Sequence, residues 1–272
     1  MVTIKNLEVK YGKQIALSIK SPITFEAGDH IGIIGSNGAG KSTLVKSILG
    51  LTNYNGTIHT SLKPEDMKDV FITSIFITNS VIIPLASILV GYSAVFSQEL
   101  EKNIPLRFRL FGYSEKIVIT SKICANLIFI TLSLIVYTVV VCSIIKVQMP
   151  SLSSALILIV SLYLLSTFLF ILAHGISLFF KKFGPTFAIT MMIYFGVMIL
   201  SGMFGVQAKD FPDAIKAVAY VFPTTYISGE FIDFWQGGSY NFVPYIQSFI
   251  FFAAVSCIIL FLSIHHDSRR IK

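Results

Sequence analysis

The chain has 272 residues, of which only 13% are charged; its formal net charge is +7 and its mean hydropathy is +0.77. A chain this apolar is not a wholly soluble globular protein, and the composition predicts membrane-spanning segments. There is no basic patch of the kind that binds nucleic acid. Three cysteines, all within apolar runs, argue against a disulfide framework.

The first sixty residues have the pattern of a small α/β unit. Alternating apolar residues predict strands over Val2 to Val9 and Ile15 to Ile23, and His30 to Ile34 reads as a short buried strand. A helix is predicted from Thr43 to Leu49, and another strand begins in Gly56 to His59.

A glycine-rich loop joins the third predicted strand to the helix. Its sequence, GSNGAGKST at residues 35–43, fits the phosphate-binding pattern G-x-x-x-x-G-K-[ST]. The glycines allow backbone N–H groups to approach phosphate oxygens, and the helix N-terminus favours negative charge. Lys41 would reach the β and γ phosphates, and the Ser42 hydroxyl would lie on Mg²⁺. The alternative is a chance glycine-rich turn between a strand and a helix.

This region resembles the beginning of the ATP-binding subunit of ABC transporters. The resemblance is carried by Ser36 to Leu44, in which Asn37 and Ala39 occupy the usual places of that family. It implies that the unit binds ATP and Mg²⁺, and that Tyr11 stacks on the adenine; the alternative for Tyr11 is an ordinary loop aromatic. The nucleotide-binding residues implied are Tyr11, Gly35, Ser36, Asn37, Gly38, Ala39, Gly40, Lys41, Ser42 and Thr43, with Ser42 also on the metal.

The later elements of the ATPase family are missing from the sequence. We find no glutamine loop, no Ser-Gly-Gly-Gln signature, no apolar strand ending in Asp-Glu and no switch histidine. Ser228 to Glu230 is a poor signature match, and His265 to Asp267 follow an apolar run. We therefore assign no catalytic residue and expect nucleotide binding with very slow hydrolysis, if any. A core of this size is expected to be marginal unless another chain completes it.

Beyond a polar join, the composition changes to that of a polytopic membrane protein. The fold class predicted is an α/β partial P-loop nucleotide-binding domain (residues 1–60), a join with a helix-breaking proline (61–69) and an all-α transmembrane domain (70–272). The five predicted spans are residues 70–98, 123–145, 152–180, 187–206 and 243–264.

The charged segment between the first two spans predicts a short helix at the membrane surface. It resembles the cytoplasmic coupling loop of type-2 ABC export permeases, in which an acidic pair precedes a helix that docks on the ATPase. Glu99 and Glu101 match that pair, and Arg107 and Arg109 are candidates for contact with the ATPase. The alternative is a loop that anchors to lipid headgroups.

Two further features lie in the apolar half. Residues 207–241, with Phe222 to Tyr226 and the single Trp235, resemble the half-entering helices that such permeases carry before their last span. Plain anchoring at the membrane interface is an equal alternative for these aromatics. His174 lies deep in a span, and we favour a neutral imidazole that hydrogen-bonds a neighbouring helix over a functional ionisable group.

The charge distribution creates a conflict over topology. If residues 99–116 are cytoplasmic, the cytoplasmic segments (99–116, 181–185, 265–272) hold nine Lys or Arg and the outer segments (146–151, 207–241) hold three. The first span would then begin outside, whereas the N-terminal unit, which no signal peptide precedes, is expected inside. Type-2 permeases have six spans, so a fusion across a deletion near residues 60–69 is the simplest account. A second account is that residues 70–98 bend at Pro84 into a re-entrant hairpin.

Together these features predict a component of an ATP-driven ABC export system, with ABC-type ATPase activity uncertain. Its expected partners are the lipid bilayer, a second permease chain in a homo- or heterodimer and complete ABC ATPase subunits, with no nucleic acid. Its expected location is the cell membrane, as a multi-pass protein of the bacterial plasma membrane. The alternative is a non-transporting remnant or regulatory subunit; a nucleotide-responsive channel is less favoured because no pore loop is visible.

Overall fold

A computed structural model describes residues 2–12, 14–26, 32–34, 36, 38–60, 64–145, 147 and 149–270; for 60, 64–68 and 267–270 it describes the backbone alone. Within it the chain divides into two compact units, Met1–Ile72 and Thr73–Lys272.

The N-terminal unit is built on an antiparallel sheet of four strands: β1 (Val2–Tyr11), β2 (Gln14–Ile19), β3 (Ile23–Phe25) and β4 (Asn55–Thr60). The central strand is β1, because Ile4 pairs with Ile23 of β3 on one side and Ile58 of β4 on the other. Strand β2 continues the β3 side, where Val9 pairs with Leu17.

The second predicted strand is divided in two by Lys20 to Pro22, since proline has no N–H to donate to a strand ladder. The strand predictions over Val2 to Val9 and at Gly56 to His59 are confirmed.

One helix, α1 (Lys41–Ile48), packs on this sheet. Its Leu44 and Ile48 lie against the buried Ile4, Leu7 and Val9 of β1. The helix ends where Gly50, at φ 67°, donates its N–H to the carbonyl of Ser47, while the N–H of Leu51 bonds to Lys46. This pairing is the Schellman arrangement that a glycine permits, and it ends the helix one residue before the predicted Leu49.

The predicted buried strand before the loop is wrong for the residues that the structure describes. Residues 32–34 have no strand pairing, and the side chain of Ile34 is 97% exposed. His30 and Ile31 lie outside the described residues. The strand type that the pattern indicates is buried by parallel neighbours and by helices on both faces, whereas every strand pairing in the described part of this unit is antiparallel to β1.

The second unit is helical. Its elements are α2 (Pro64–Pro84), a π-helical segment (Leu85–Tyr92), α3 (Ser93–Glu101), α4 (Ile104–Leu110), α5 (Glu115–Ile144), α6 (Leu152–Phe180), α7 (Phe183–Leu200), a 3₁₀ turn (Ala208–Asp210), α8 (Asp213–Ala219), α9 (Pro223–Gly229), α10 (Phe231–Trp235) and α11 (Phe242–Arg270), of which α2 begins in the first unit. Five stretches within the described residues are long and apolar enough to cross a membrane: Asp69–Glu101, Glu115–Ile144, Leu152–Phe180, Phe183–Leu200 and Phe242–His266.

The first of these stretches is one continuous helix. Pro84 has right-handed helical angles, φ −65° and ψ −34°, and helical geometry continues on both sides of it. The re-entrant hairpin considered for residues 70–98 is therefore wrong. Proline removes one backbone donor and crowds the preceding turn, and the π-helical segment begins at the next residue. Pro64, predicted to break a helix in the join, instead begins α2, a position where its missing N–H costs nothing.

Helix α6 lies at the centre of the apolar core, against the π-helical segment, α3, α7 and α11. The closest approach is at Gly175, where an added Cβ would lie 3.0 Å from the backbone of Leu260 in α11. Small residues allow membrane helices to pack this tightly. In contrast, Ile130 is the one buried residue of α5, so most of the surface of that helix is not covered by the rest of the unit.

Helix α7, the fourth of the long apolar helices, ends earlier than the predicted span 187–206. Gly202, at φ 76°, donates its N–H to Ile199, and the N–H of Met203 bonds to Met198, which closes α7 after Leu200. The following residues form short helices, and Trp235 is 5% exposed, with its ring centroid 5.9 Å from that of Phe76. Interface anchoring by Trp235 is therefore wrong, because this ring packs within the helical unit.

Candidate functional site

The glycine-rich loop closes on the carbonyl of Ser36. The N–H of Ala39 donates to that oxygen at 3.2 Å, and Lys41 Nζ donates to it at 2.8 Å. Gly38 and Gly40 take φ angles of 86° and 83°, which L-residues with side chains adopt at a cost. Gly35 and Asn37, both predicted to bind nucleotide, lie outside the described residues.

Gly40 is required by its neighbours as well as by its angles. A Cβ at this position would lie 2.7 Å from the carbonyl oxygen of Ala16 and 3.2 Å from the side chain of Leu17, both in β2. The loop is thereby pressed against the sheet, and Gly40 directly precedes α1 as its N-cap. Any side chain at this position would therefore push the start of α1 away from β2.

The first turn of α1 carries Lys41, Ser42 and Thr43. Ser42 is exposed, and no acidic residue lies in that turn. The N-terminal end of α1 is electropositive and carries backbone N–H groups and Lys41, which is the chemistry of an anion-binding site. Among the described residues, no cluster of three His, Cys, Asp or Glu could hold a metal, and the assignment of Ser42 to Mg²⁺ stays a prediction.

Tyr11, at the end of β1, lies beside this loop. Hydrogen bonds with the side chains of Thr52 and Thr43 lower the pKa of Tyr11, since they stabilise the phenolate. The ring is 53% exposed and accessible to a ligand. Thr52 was not singled out by the sequence; it arrives there because the turn at Gly50 reverses the chain after α1.

The charged segment between the first two long helices forms α4, which begins after Asn103 and has Pro105 in its first turn. Arg107 and Arg109 are both exposed on it. The two acidic residues instead make contacts within the unit: Glu99 forms an ion pair with Lys122 of α5, and Glu101 accepts a hydrogen bond from the backbone N–H of Phe183. Neither partner was foreseen, although a lysine just before an apolar run signals such a pairing.

His174 hydrogen-bonds a neighbouring helix, as predicted. Its Nδ1 lies 2.7 Å from Tyr92 Oη, at the end of the π-helical segment, and its ring stacks on Phe96 with centroids 4.5 Å apart. Nearby, Ser93 Oγ donates to Thr190 Oγ1 of α7 at 3.2 Å. These bonds join three helices in the interior of the unit.

Comparison with known proteins places the similarity at the N-terminal end. Residues 20–84 match the family model described as "ABC transporter", a range that begins after Tyr11 and continues past residue 60. The ATP-binding protein MntB of a manganese transport system from Halalkalibacterium halodurans is 50% identical over 60 residues, which cover 21% of this chain and 23% of that protein.

Two further relatives are also named as ATP-binding proteins. The tungstate uptake system ATP-binding protein TupC from Peptoclostridium acidaminophilum is 39% identical over 77 residues (26% of this chain, 35% of that protein). The methionine import ATP-binding protein MetN from Clostridioides difficile is 34% identical over 122 residues (42% and 34%). The chain thus spans 23% to 35% of the length of these relatives. No solved structure matches the chain significantly. Residues 20–84 are therefore similar to part of an ABC transporter ATP-binding domain, and apolar helices follow them.

Proposed function

We propose that this chain is the membrane component of an ATP-driven ABC export system and that its N-terminal unit binds ATP without hydrolysing it. The observation that carries the proposal is the closed loop of Ser36 to Thr43 at the N-terminus of α1, inside the region matched by the ABC transporter family. The same chain contains five long apolar helices.

The loop chemistry supports binding more strongly than hydrolysis. Lys41 and the first turn of α1 would hold the phosphates, Tyr11 would stack on the adenine, and Ser42 would hold Mg²⁺ together with phosphate oxygens and water. Hydrolysis in this class also needs a carboxylate on the metal and a residue that positions water. Neither motif is present in the sequence.

The incomplete sheet supports a need for partner subunits. Ile34, next to the loop, is almost fully exposed, which is costly for an apolar side chain in an isolated unit. Complete ABC ATPase subunits would hydrolyse the ATP, and α4 would bind them through Arg107 and Arg109. A second permease chain would complete the path across the membrane, which we take to be a bacterial plasma membrane.

Export is proposed from the resemblance of residues 70–272 to type-2 permeases. The relatives are named for manganese transport, tungstate uptake and methionine import, and those substrates are theirs. All three relatives are named as ATP-binding proteins, and the chain covers only 23% to 35% of each. Their names therefore carry little weight for the direction in which this chain would move a substrate.

A second candidate is a regulatory subunit that binds nucleotide or partner chains but transports nothing. It is favoured by the contacts of Glu99 and Glu101, which engage Lys122 and Phe183 of the same chain. An acidic pair used in this way stabilises the helical unit whether or not an ATPase docks.

Nucleotide binding is tested by titrating a fluorescent ATP analogue with Mg²⁺ into the full chain in detergent micelles. We expect saturable binding that falls about tenfold or more in Lys41→Ala, because a charge-assisted contact to phosphate is lost. Lys20→Ala, which removes an exposed lysine of the same unit, should change the affinity by less than about twofold. No saturable binding would overturn this part, and phosphate release that Lys41→Ala abolishes would contradict the absence of hydrolysis.

The partner role is tested in proteoliposomes that contain this chain. A complete ABC ATPase, encoded beside this chain, is added to them. Docking should weaken in Arg107→Glu with Arg109→Glu, because the charge of the exposed face of α4 is reversed. Lys182→Glu with Lys209→Glu reverses two charges at exposed positions outside α4 and is the matched control. Docking without ATP-dependent movement of any solute would favour the regulatory candidate.

A further inference from the structure

A cavity of about 170 Å³ lies where the short helices α8, α9 and α10 meet the end of α7. We call it the α9 pocket, and all of its residues belong to the helical unit. Drug-sized ligands occupy cavities of about 300–1,000 Å³, so this pocket suits a small chemical group. The polar side chains that matter for the choice of that group are Ser201, Tyr220, Thr225, Ser228, Glu230 and Asp233.

The pocket lies at the end of the helix bundle where α7 stops and α6 and α11 begin. Helix α7 ends at Leu200, directly before the lining residue Ser201. Ser154 Oγ, in the first turn of α6, donates to the carbonyl of Phe234 in α10 at 3.0 Å, and α11 begins at Phe242. Where membrane-length helices end together, the surrounding lipid presents its headgroups. A headgroup can therefore reach the pocket as well as a soluble molecule can.

The floor of the pocket offers hydrogen-bond acceptors rather than donors. Ser201 and Thr225 are each only 2% exposed. Thr225 Oγ1 donates to the carbonyl of Ala219, and Ser228 Oγ donates to the carbonyls of Ser201 and Thr224. A hydroxyl has one proton to donate and two lone pairs that accept, so these bonds use the protons and leave lone pairs. A ligand that fits the floor must therefore supply N–H or O–H donors.

Two carboxylates, Glu230 and Asp233, lie at the mouth of the pocket on exposed residues. Tyr220 hydrogen-bonds to Glu230, and burial together with that carboxylate raises the pKa of Tyr220 to about 12. The phenol therefore keeps its proton at neutral pH and donates it to Glu230. Lys209 is the one cation of this lining, and among the described residues it forms no ion pair with either carboxylate. The lining thus carries more negative than positive charge.

We propose that the α9 pocket binds a primary ammonium group, with its N–H donors on Glu230, Asp233 and the hydroxyl oxygens of the floor. Hydrogen bonds from an ammonium to carboxylates are charge-assisted and stronger than neutral ones. The group is carried either by the ethanolamine headgroup of a phospholipid or by a soluble amine. A quaternary ammonium has the same charge but no N–H donor, so the pocket discriminates against it. The inference depends neither on nucleotide binding nor on transport by the chain.

The first test is native mass spectrometry of the full chain, released from detergent in the presence of phosphatidylethanolamine or of phosphatidylcholine with the same acyl chains. The two lipids differ only in the ammonium, which is primary in one and quaternary in the other. The wild type should retain phosphatidylethanolamine about tenfold better, since phosphatidylcholine lacks the charge-assisted N–H contacts. Thermal-shift titrations with ethanolamine and with choline make the same comparison for soluble amines.

Two kinds of variant separate the site from the fold. Glu230→Gln with Asp233→Asn removes both charges with little change of shape and should abolish the preference for the primary ammonium. The control pair, Asp213→Asn with Glu115→Gln, removes the same charge from exposed residues outside the pocket and should change retention by less than about twofold. Gly229→Leu fills the pocket without changing charge, at a position where an added Cβ meets no atom within 4 Å, and should lower retention about tenfold.

Equal retention of the two lipids by the wild type, together with equal thermal shifts by the two amines, would overturn the proposal. Equal losses in the pocket and control pairs would also overturn it, as would full retention of phosphatidylethanolamine by Gly229→Leu. Excess ethanolamine identifies the source of the ammonium. Phosphatidylethanolamine that stays bound assigns the pocket to a headgroup, lipid that is displaced assigns it to a soluble amine, and both results support the ammonium site.

Discussion

The carboxylate of Glu101, the last residue of α3, accepts a 3.0 Å hydrogen bond from the backbone N–H of Phe183, the first residue of α7. Helix α7 has no side-chain cap of its own and no acidic residue in its first turn. The first N–H groups of a helix lack intrahelical partners, and a nearby carboxylate satisfies one of them and interacts favourably with the helix dipole. Glu101 thus caps a helix from 82 residues away in the sequence.

Replacing Glu101 with Ala should therefore destabilise the helical unit by about 1 kcal/mol, as the loss of a helix cap does. Glu101→Gln keeps an acceptor but loses the charge, and should cost less. The measurement is thermal unfolding in detergent, where this change lowers Tm by about 2–4 °C for a unit of this size. Lys102→Ala, at the exposed next residue, is the control; an equal shift there would exclude the capping role.

Tyr92→Phe tests the hydrogen bond to His174. The phenylalanine keeps the ring that packs 4.4 Å from Phe170 but leaves His174 Nδ1 without its partner inside the bundle. We expect a loss of about 1 kcal/mol in the free energy of unfolding, as for other hydrogen bonds between membrane helices. Thermal unfolding and denaturant titration in mixed micelles both report it.

Tyr163→Phe provides the matched control for Tyr92→Phe. Tyr163 Oη lies 2.6 Å from Thr131 Oγ1 of α5, but the residue is only half-buried. Thr131 Oγ1 also donates to the carbonyl of Leu127, so it keeps a partner when the phenol is removed. If Tyr163→Phe destabilises the chain as much as Tyr92→Phe, the buried hydrogen bond between Tyr92 and His174 stabilises the unit no more than a half-buried one, contrary to our expectation.

Much of the fold could be predicted from local pattern. Strand β1 alternates clearly, and α1 is bounded by a glycine on each side, so both follow from short-range rules. The segment before the loop was mistaken for a strand because an apolar run forms a buried strand only when parallel neighbours cover it. Those neighbours come from other parts of a complete ATP-binding domain, and the described residues contain none.

In the helical unit, the number of long apolar helices was predictable and their ends were less so. Gly202 indicates the end of α7 at Leu200, but the apolar run continues to Val206 and favoured a longer span. The π-helical segment could not be derived, since nothing in its apolar sequence separates π from α geometry. The contacts of Glu99 and Glu101 depend on tertiary packing, and the sequence indicated only that they match the acidic pair of a coupling loop.

Gly40→Ala should disrupt the candidate nucleotide site more than Gly38→Ala. Both glycines have positive φ and so share the strain of a side chain there, but only at Gly40 does a Cβ meet a backbone oxygen, 2.7 Å away at Ala16. We expect affinity for the fluorescent ATP analogue to fall further in Gly40→Ala than in Gly38→Ala, where a strain of about 1–2 kcal/mol limits the loss to about thirtyfold at most. Limited proteolysis should cleave the N-terminal unit faster in Gly40→Ala than in Gly38→Ala. Equal effects of the two substitutions would show that the backbone strain, and not the contact with Ala16, accounts for the loss.

Tyr11 is tested by comparing ATP with inorganic triphosphate, which has no base to stack. Tyr11→Ala should weaken ATP binding roughly tenfold, within the range measured for base–aromatic stacking, and leave triphosphate binding unchanged; Tyr11→Phe should keep both. Tyr54→Ala, which removes a ring packed against the small core, should weaken both ligands because it destabilises the unit. Competition titrations against the fluorescent analogue measure the affinity of each variant for both ligands. A Tyr11→Ala variant that loses triphosphate as strongly as ATP would reassign Tyr11 to support of the loop through Thr43 and Thr52, the contacts that already lower its pKa.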